Sequence, residues 1–468
     1  MNYASVVRVL AFLLLIVAAA AIPSVFMSIA AGETSQTFAF GAMILSIVVI
    51  SSSVLLLTPK PSRKARPSDA LGTVILWWFI TPVMASLPFI LGVANDSILK
   101  GIHEATACLT TTGQSVIAVG NNEWPISLVV WRGMLHLLGG LATITTAASV
   151  LAALNLGGPG IHRTVLFTVP ETSFFDAVPR VARMVTMLMI GSILALFAAL
   201  VFMGVPAERA LGDSISALTT GLVHPQGIMR APLDTLPSVV LGVGLLVGAM
   251  GLAIWLPLKD RKPLKAVTDP EFTLFVGLLG IFVAFAVASD LNMTEGLSWA
   301  LSALSTSGLS LSDPADYNRI PLPVLVLPAL IGGSALSAAG GVKLARFIVL
   351  ARRAGQEFRQ LGYRRSILGF RFRDRELNER SVIGVWVYLI GYILAIFLIM
   401  AGFAFLGQDF VPSIRLAIGS LTNSAGVLGS FAKDLSGPAQ ALIIFSMILG
   451  RLEVLALIPA LSLSFWRG

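Results

Sequence analysis

The residues best suited to chemistry in this sequence are small and carry hydroxyls. Thr110-Thr111-Thr112-Gly113 lies between two long apolar runs, and comparable turns recur as Thr219-Thr220-Gly221, Ser305-Thr306-Ser307-Gly308 and Thr422-Asn423-Ser424-Ala425-Gly426. Each follows a short helix-like run and precedes another apolar run. A cation entering a membrane must shed water, and a ring of backbone carbonyls replaces that water without placing a formal charge in the path. Glycine adopts the dihedrals that aim successive carbonyls at one axis, and nearby hydroxyls add oxygens. Such a ring, lacking carboxylates, suits a weakly hydrated monovalent cation better than Ca²⁺ or Mg²⁺. Taken singly, each turn reads as small-residue helix packing. Four at equivalent places read as a pore with quasi-fourfold symmetry. The candidate ion-binding residues are Thr111, Thr112, Gly113, Thr219, Thr220, Gly221, Thr306, Ser307, Gly308, Ser424, Ala425 and Gly426.

The elements that must position these turns are membrane helices. The chain is 56% hydrophobic and 12% charged over 468 residues, with mean hydropathy +0.88, whereas a soluble domain carries about 25% charged residues. Apolar runs of membrane-spanning length recur throughout, without the short alternating segments of a barrel. The fold class is therefore an all-α polytopic membrane protein of about ten spans. Residues 6–31 read as a retained first helix or as a cleaved leader ending in Ala18–Ala21, and 38–57 as a second span. Four span–turn–span units follow. The divisions are 1–70 (two N-terminal helices and a basic loop), 71–154, 155–260, 261–350, 351–381 (a basic linker) and 382–468. Gly140, Gly248, Gly332 and Gly450 stand at similar offsets behind the four turns. Cations are sparse in the loops that hold the turns and dense in the opposite loops, such as Lys60–Arg66 and Arg346–Arg380. The positive-inside rule then sets the turns outside and both termini in the cytoplasm. It also accounts for the net charge of +8 without a nucleic-acid partner.

This arrangement resembles the TrkH/TrkG/KtrB/HKT superfamily of potassium transporters, and the two extra N-terminal spans resemble its TrkH branch. Two further stretches carry the match: the glycine-rich run Gly332 to Lys343, and Gly450-Arg451-Leu452-Glu453 running on to Phe465-Trp466-Arg467. The chain departs from the family pattern at Ser337-Ala338-Ala339-Gly340-Gly341, at Leu222-Val223-His224-Pro225 after the second turn, and at Asn423 to Val427. The resemblance implies potassium uptake, with K⁺ held at the turn residues, passively or by symport. The same fold also serves Na⁺/K⁺ transport without strict selectivity. It further implies a gating loop that includes Gly340, Gly341 and Lys343, and a positive constriction at Arg451. A cytosolic, nucleotide-binding TrkA-like regulatory subunit, a homodimer and a bacterial inner (plasma) membrane location are implied as well.

Alternatives stand beside these readings. Arg451 inside the last apolar run reads also as a packing ion pair with Glu453, and Lys343 as a lysine reaching for the cytoplasmic interface. The nine arginines between Arg352 and Arg380 are either a docking face for the regulator or topology and anionic-lipid contacts. Glu104 beside His103, and Asp213, are outer-mouth carboxylates that concentrate cations or merely helix-end polar groups. Cys108, the single cysteine, is a packed residue that excludes an internal disulfide. A solute transporter built on broken helices would need charged or aromatic residues in the turns. An enzyme would need a nucleophile–base or metal spacing. Neither pattern occurs, and no organic cofactor is called for.

Overall fold

The computed structural model describes residues 2–59, 67–93, 97–117, 124–148, 174–224, 233–251, 254–255, 263–311, 319–362, 371–372, 375–376, 379–428, 435–453 and 462. The basic loop Lys60–Arg66, His162 and the terminal Phe465-Trp466-Arg467 lie outside them. The regular elements among the described residues are helices apart from the antiparallel pair Arg371–Phe372 and Arg375–Glu376.

Two N-terminal segments come first. Tyr3–Ala20 and Ile22–Ala30 form one apolar stretch bent at Ala21, with Pro23 in the first turn of the second piece, and Thr34–Leu57 returns alongside. The four units then repeat one plan of long helix, short helix and second helix. Unit one has Pro67–Ala85 continued by Leu87–Gly92, then Ile98–Leu109, then Ile126–Thr146. Unit two has Phe174–Phe202, Ala207–Thr219 and Thr235–Met250. Unit three has Pro270–Ala288, Met293–Ser305 and Leu322–Ile331; unit four has Glu379–Phe405, Phe410–Leu421 and Gly437–Arg451.

Local sequence explains the breaks. Ser86 precedes Pro88 and interrupts the first span of unit one. Asn292 and Glu295 form a reciprocal capping box that starts the short helix of unit three. Among the described residues seven helices are long and apolar enough to cross a membrane, and three of the four shorter apolar helices are the second members of units two, three and four. Sequence periodicity suggests one continuous span from 322 to about 350; the chain instead leaves the helix at Gly332 (φ 72°) and resumes at Leu344. The first span of unit four presents Trp386, Ile390, Leu394 and Phe397 outward, an apolar face that suits lipid.

The second helix of each unit packs against the short helix of the next, from one to two, two to three, three to four, and four back to one. That closure makes a ring, and the four turns meet at its centre. The N-terminal hairpin is tied to the ring by Glu33. The helix Ile126–Thr146 starts after Pro125 with no side-chain cap of its own. The Glu33 carboxylate accepts the Ile126 N–H at 2.9 Å and the Ser127 hydroxyl, at the positive end of that helix. Glu33→Ala is expected to cost about 1–2 kcal/mol, a half-buried cap's worth. Thermal unfolding in detergent checks this, and an unchanged midpoint would contradict it.

Candidate pore site

Each short helix ends with its carbonyl end toward the centre, where the helix dipole carries about half a negative charge. One residue then enters the left-handed region: Thr111 (φ 53°), Thr220 (φ 53°), Thr306 (φ 59°) and Asn423 (φ 53°). A β-branched residue there is an outlier costing about 1–3 kcal/mol, and such strain clusters at functional sites. Four independent turns sharing it are a built feature.

These residues fix the register of the turns. The residue that follows bonds five back along its helix in three cases: Gly221 N–H to Ser216 O, Ser307 N–H to Ser302 O and Ser424 N–H to Gly419 O. Hydroxyl pairs straddle the strained residue at Thr110–Thr112, Ser305–Ser307 and Thr422–Ser424. In unit two the second member of that pair is Gly221. A Cβ there would fall 2.5 Å from the His136 ring and 2.7 Å from Thr111 O, so the missing hydroxyl is the room that His136 needs. Gly221 therefore matches Thr112, not Gly113. The positions matching Gly113 (φ 69°) and Gly308 (φ 72°) are Leu222 and Ala425. The common glycine suggested by the sequence is out of register by one residue in turns two and four, although Gly426 still lies against Gly308.

The segment 332–343 of unit three folds back beneath the turns. It is closed by Val342 N–H to Leu330 O, Lys343 N–H to Ile331 O and Leu344 N–H to Gly333 O. Its contacts reach three other helices or turns. Ser334 N–H donates to Ala249 O, Ala335 N–H to Glu271 Oε2 at 2.9 Å, and Gly340 N–H to Thr306 Oγ1 at 2.8 Å. The Lys343 ammonium (backbone φ 80°) turns back onto the carbonyls of Ser337 and Ala339. It staples its own loop and does not reach for the interface.

Arg451 crosses from unit four beneath the first turn. Its guanidinium donates to Thr110 O, Thr111 Oγ1 and Ala338 O, all neutral oxygens. Glu453 pairs instead with Arg346, whose guanidinium also lies 3.8 Å from the Tyr388 ring centre. Lys343, Arg451, Thr143 and Gly340 line a cavity of about 20 Å³ under the turns.

On the opposite side, Glu104 is fully buried and pairs with Arg132 at 2.6 Å. Arg132 also donates to Gly113 O at 2.8 Å, Leu222 O at 3.2 Å and Val223 O at 2.6 Å. Glu104 is thus a structural anion and not an outer-mouth attractor. Asp213 pairs with Arg209 at 3.4 Å. His103 and Cys108 are buried.

The family model TrkH, described as a cation transport protein, matches residues 271–464. The chain is 26% identical to the Trk system potassium uptake protein TrkH of Halomonas elongata over the full length of both. It is 26% identical to that of Escherichia coli K12 over 87% of this chain and 88% of the other. The crystal structure of the potassium transporter TrkH from Vibrio parahaemolyticus superposes with TM-score 0.86 and 22% identity over the whole of both chains. The chain has the TrkH fold over its whole length. It is accordingly a multi-pass membrane protein and not an enzyme.

In this ring the second helices approach the short helices through glycine. A Cβ on Gly139 would fall 1.7 Å from Leu109 O, on Gly248 2.1 Å from Ala217 O, and on Gly450 2.1 Å from Leu421 O. Unit one thus uses Gly139 rather than Gly140, and in unit three the loop intervenes, with Gly332 against Gly340 O. Gly248→Ala is expected to destabilise by about 1–3 kcal/mol through overpacking. Gly277→Ala, in a span with nothing within 4 Å of the added carbon, is expected to be neutral or slightly stabilising. Paired melting curves check this; equal effects would mean the glycine contact is not tight.

Proposed function

We propose that this chain is the pore subunit of a potassium uptake system. The observation that carries the reading is the ring of four strained turns, Thr111, Thr220, Thr306 and Asn423, each at the carbonyl end of a short helix. Named relatives that take up potassium support it. K⁺ is held by the oxygens of Thr111, Thr112, Gly113, Thr219, Thr220, Gly221, Thr306, Ser307, Gly308, Ser424, Ala425 and Gly426. The membrane potential drives entry by about 2.3 kcal/mol per 100 mV for each charge. The loop bearing Gly340, Gly341 and Lys343, together with Arg451, closes the inner side. Thr111 and Thr306 lend their hydroxyls to those closing groups, so the closed gate is bonded directly to the ring. A second reading is weaker discrimination between K⁺ and Na⁺, favoured by Leu222 and Ala425 standing where Gly113 and Gly308 stand.

A cytosolic TrkA-like ring is the proposed regulator. It docks on the basic stretch that begins with the helix Leu344–Gly362, where Arg352, Arg353 and Arg359 lie. That helix is continuous with the loop, and Arg346 at its start holds Glu453 two residues from Arg451, so a pull on the helix reaches both closing elements. The assembly is a homodimer in a bacterial inner membrane with cytoplasmic termini.

Rb⁺ uptake into vesicles tests the function. No uptake, with or without the regulator, would sink it. A Cβ on Gly340 would fall 1.7 Å from Thr422 O, so Gly340→Ala unseats the loop and raises basal uptake. Arg451→Gln raises it too, by removing a positive charge from the path. Wild-type flux in both would show that the inner side closes elsewhere. Gly113→Ser would drive its side chain into Leu222. It lowers K⁺ over Na⁺ preference, and an unchanged preference would remove Gly113 from the selectivity site.

A further inference from the structure

Arg132 lies in the second turn of an apolar helix, and every nitrogen of its guanidinium is engaged. Nη1 meets Glu104, Nη2 meets Gly113 O and Leu222 O, and Nε meets Val223 O. The three carbonyls belong to two adjacent turns, so one rigid planar fork fixes the spacing between units one and two. Glu104 holds the same region from the other side. Its second oxygen accepts the Ser115 hydroxyl at 2.6 Å and the Val116 N–H at 2.9 Å, which secures the chain leaving Gly113. Trp124 lies 5.5 Å from the guanidinium and shields it. Turn three meets the same need without charge: Leu311, which matches Val116 in register, donates its N–H to the neutral Ser298 hydroxyl at 2.9 Å. The charged strap is thus a feature of turns one and two.

Its two members do different work. A carbonyl has two lone pairs, so Gly113 O and Leu222 O each keep one for an ion while the guanidinium sets their direction. Choice between alkali cations depends on the number and spacing of such carbonyls. The carboxylate cancels a positive charge that would otherwise stand beside the cation path.

Resting on the pore reading above, we propose that Arg132, neutralised by Glu104, is the positioning residue that sets ion preference in turns one and two. The test is Rb⁺ uptake into vesicles competed by K⁺ and by Na⁺, with melting curves to verify folding. Arg132→Lys keeps the charge and loses the fork; uptake persists while K⁺ over Na⁺ preference falls by about tenfold, one charge-assisted hydrogen bond's worth. Glu104→Gln leaves the charge uncompensated and slows uptake of both cations with the preference largely kept. Ser115→Ala loosens Glu104 without touching either charge and lowers the preference by a smaller factor, which covers the case in which Arg132→Lys fails to fold. Wild-type preference in folded Arg132→Lys, or in Ser115→Ala where the former does not fold, would overturn the proposal. A wild-type protein that carries no cation at all would instead overturn the pore reading beneath it.

Discussion

Everything in this ring follows from one backbone constraint: a short helix must stop, reverse and run on with its carbonyls toward a common axis. A single residue in the left-handed region does this in each unit, and three of the four are threonines. Threonine resists that conformation, so each turn persists only because its surroundings over-determine it. The surroundings are visible. Hydroxyl pairs bridge the strained residue in three units, glycines on the second helices let them bear on the short-helix carbonyls, and each short helix is braced by the unit before it. The ring is thus the condition under which the turns exist, and not merely their container.

The four units solve that constraint unequally. Unit one spends two buried charges on it, and its neighbour gives up a hydroxyl at Gly221 to admit His136. His136 is itself held by a bond to the backbone carbonyl of Arg132, one turn earlier, at 2.7 Å, so the helix that carries the strap also sets the ring that presses on Gly221. Unit three keeps neutral anchors but breaks its second helix to send a loop beneath the turns. Unit four contributes Asn423, whose amide reaches Thr112 Oγ1 at 3.0 Å and so ties the last turn to the first. Fourfold architecture here carries a functional division. Units one and two are fastened by Arg132 and Glu104, and units three and four supply the groups proposed to close the path.

Much of this was legible in sequence, for physical reasons. The turns announce themselves because hydroxyls and glycine interrupt apolar runs, and Arg451 because a charge inside a membrane helix costs about 2.5–3.5 kcal/mol and needs a reason. The same signal marks Arg132, which sequence reading passed over; its partner Glu104 lies elsewhere in the chain and was read as solvent-facing. The turn register was not legible because glycine does two jobs. At Gly113 and Gly308 it serves a positive φ, whereas at Gly221 it makes space for a neighbour that only folding reveals. The partners of Arg451 were hidden for a related reason. Glu453 is two residues away, but at the end of that helix (φ 53°) its carboxylate points to Arg346.

The bonding of Arg451 says what opening of the proposed gate would involve. A guanidinium paired with a carboxylate would be anchored by an ion pair that is costly to break, about 3–5 kcal/mol when buried. Arg451 instead rests on three neutral oxygens, two on the first turn and one on the loop. Water can replace these neutral acceptors one at a time, each step costing about 1.5–3 kcal/mol, and no carboxylate is left buried without its partner. The cavity already beside Arg451 and Lys343 is where such water would gather. The outer strap has the opposite design, with opposite charges sealed from solvent. The chain therefore keeps its lasting electrostatic bond where the proposed filter must hold shape, and uses solvent-exchangeable bonds at the proposed gate.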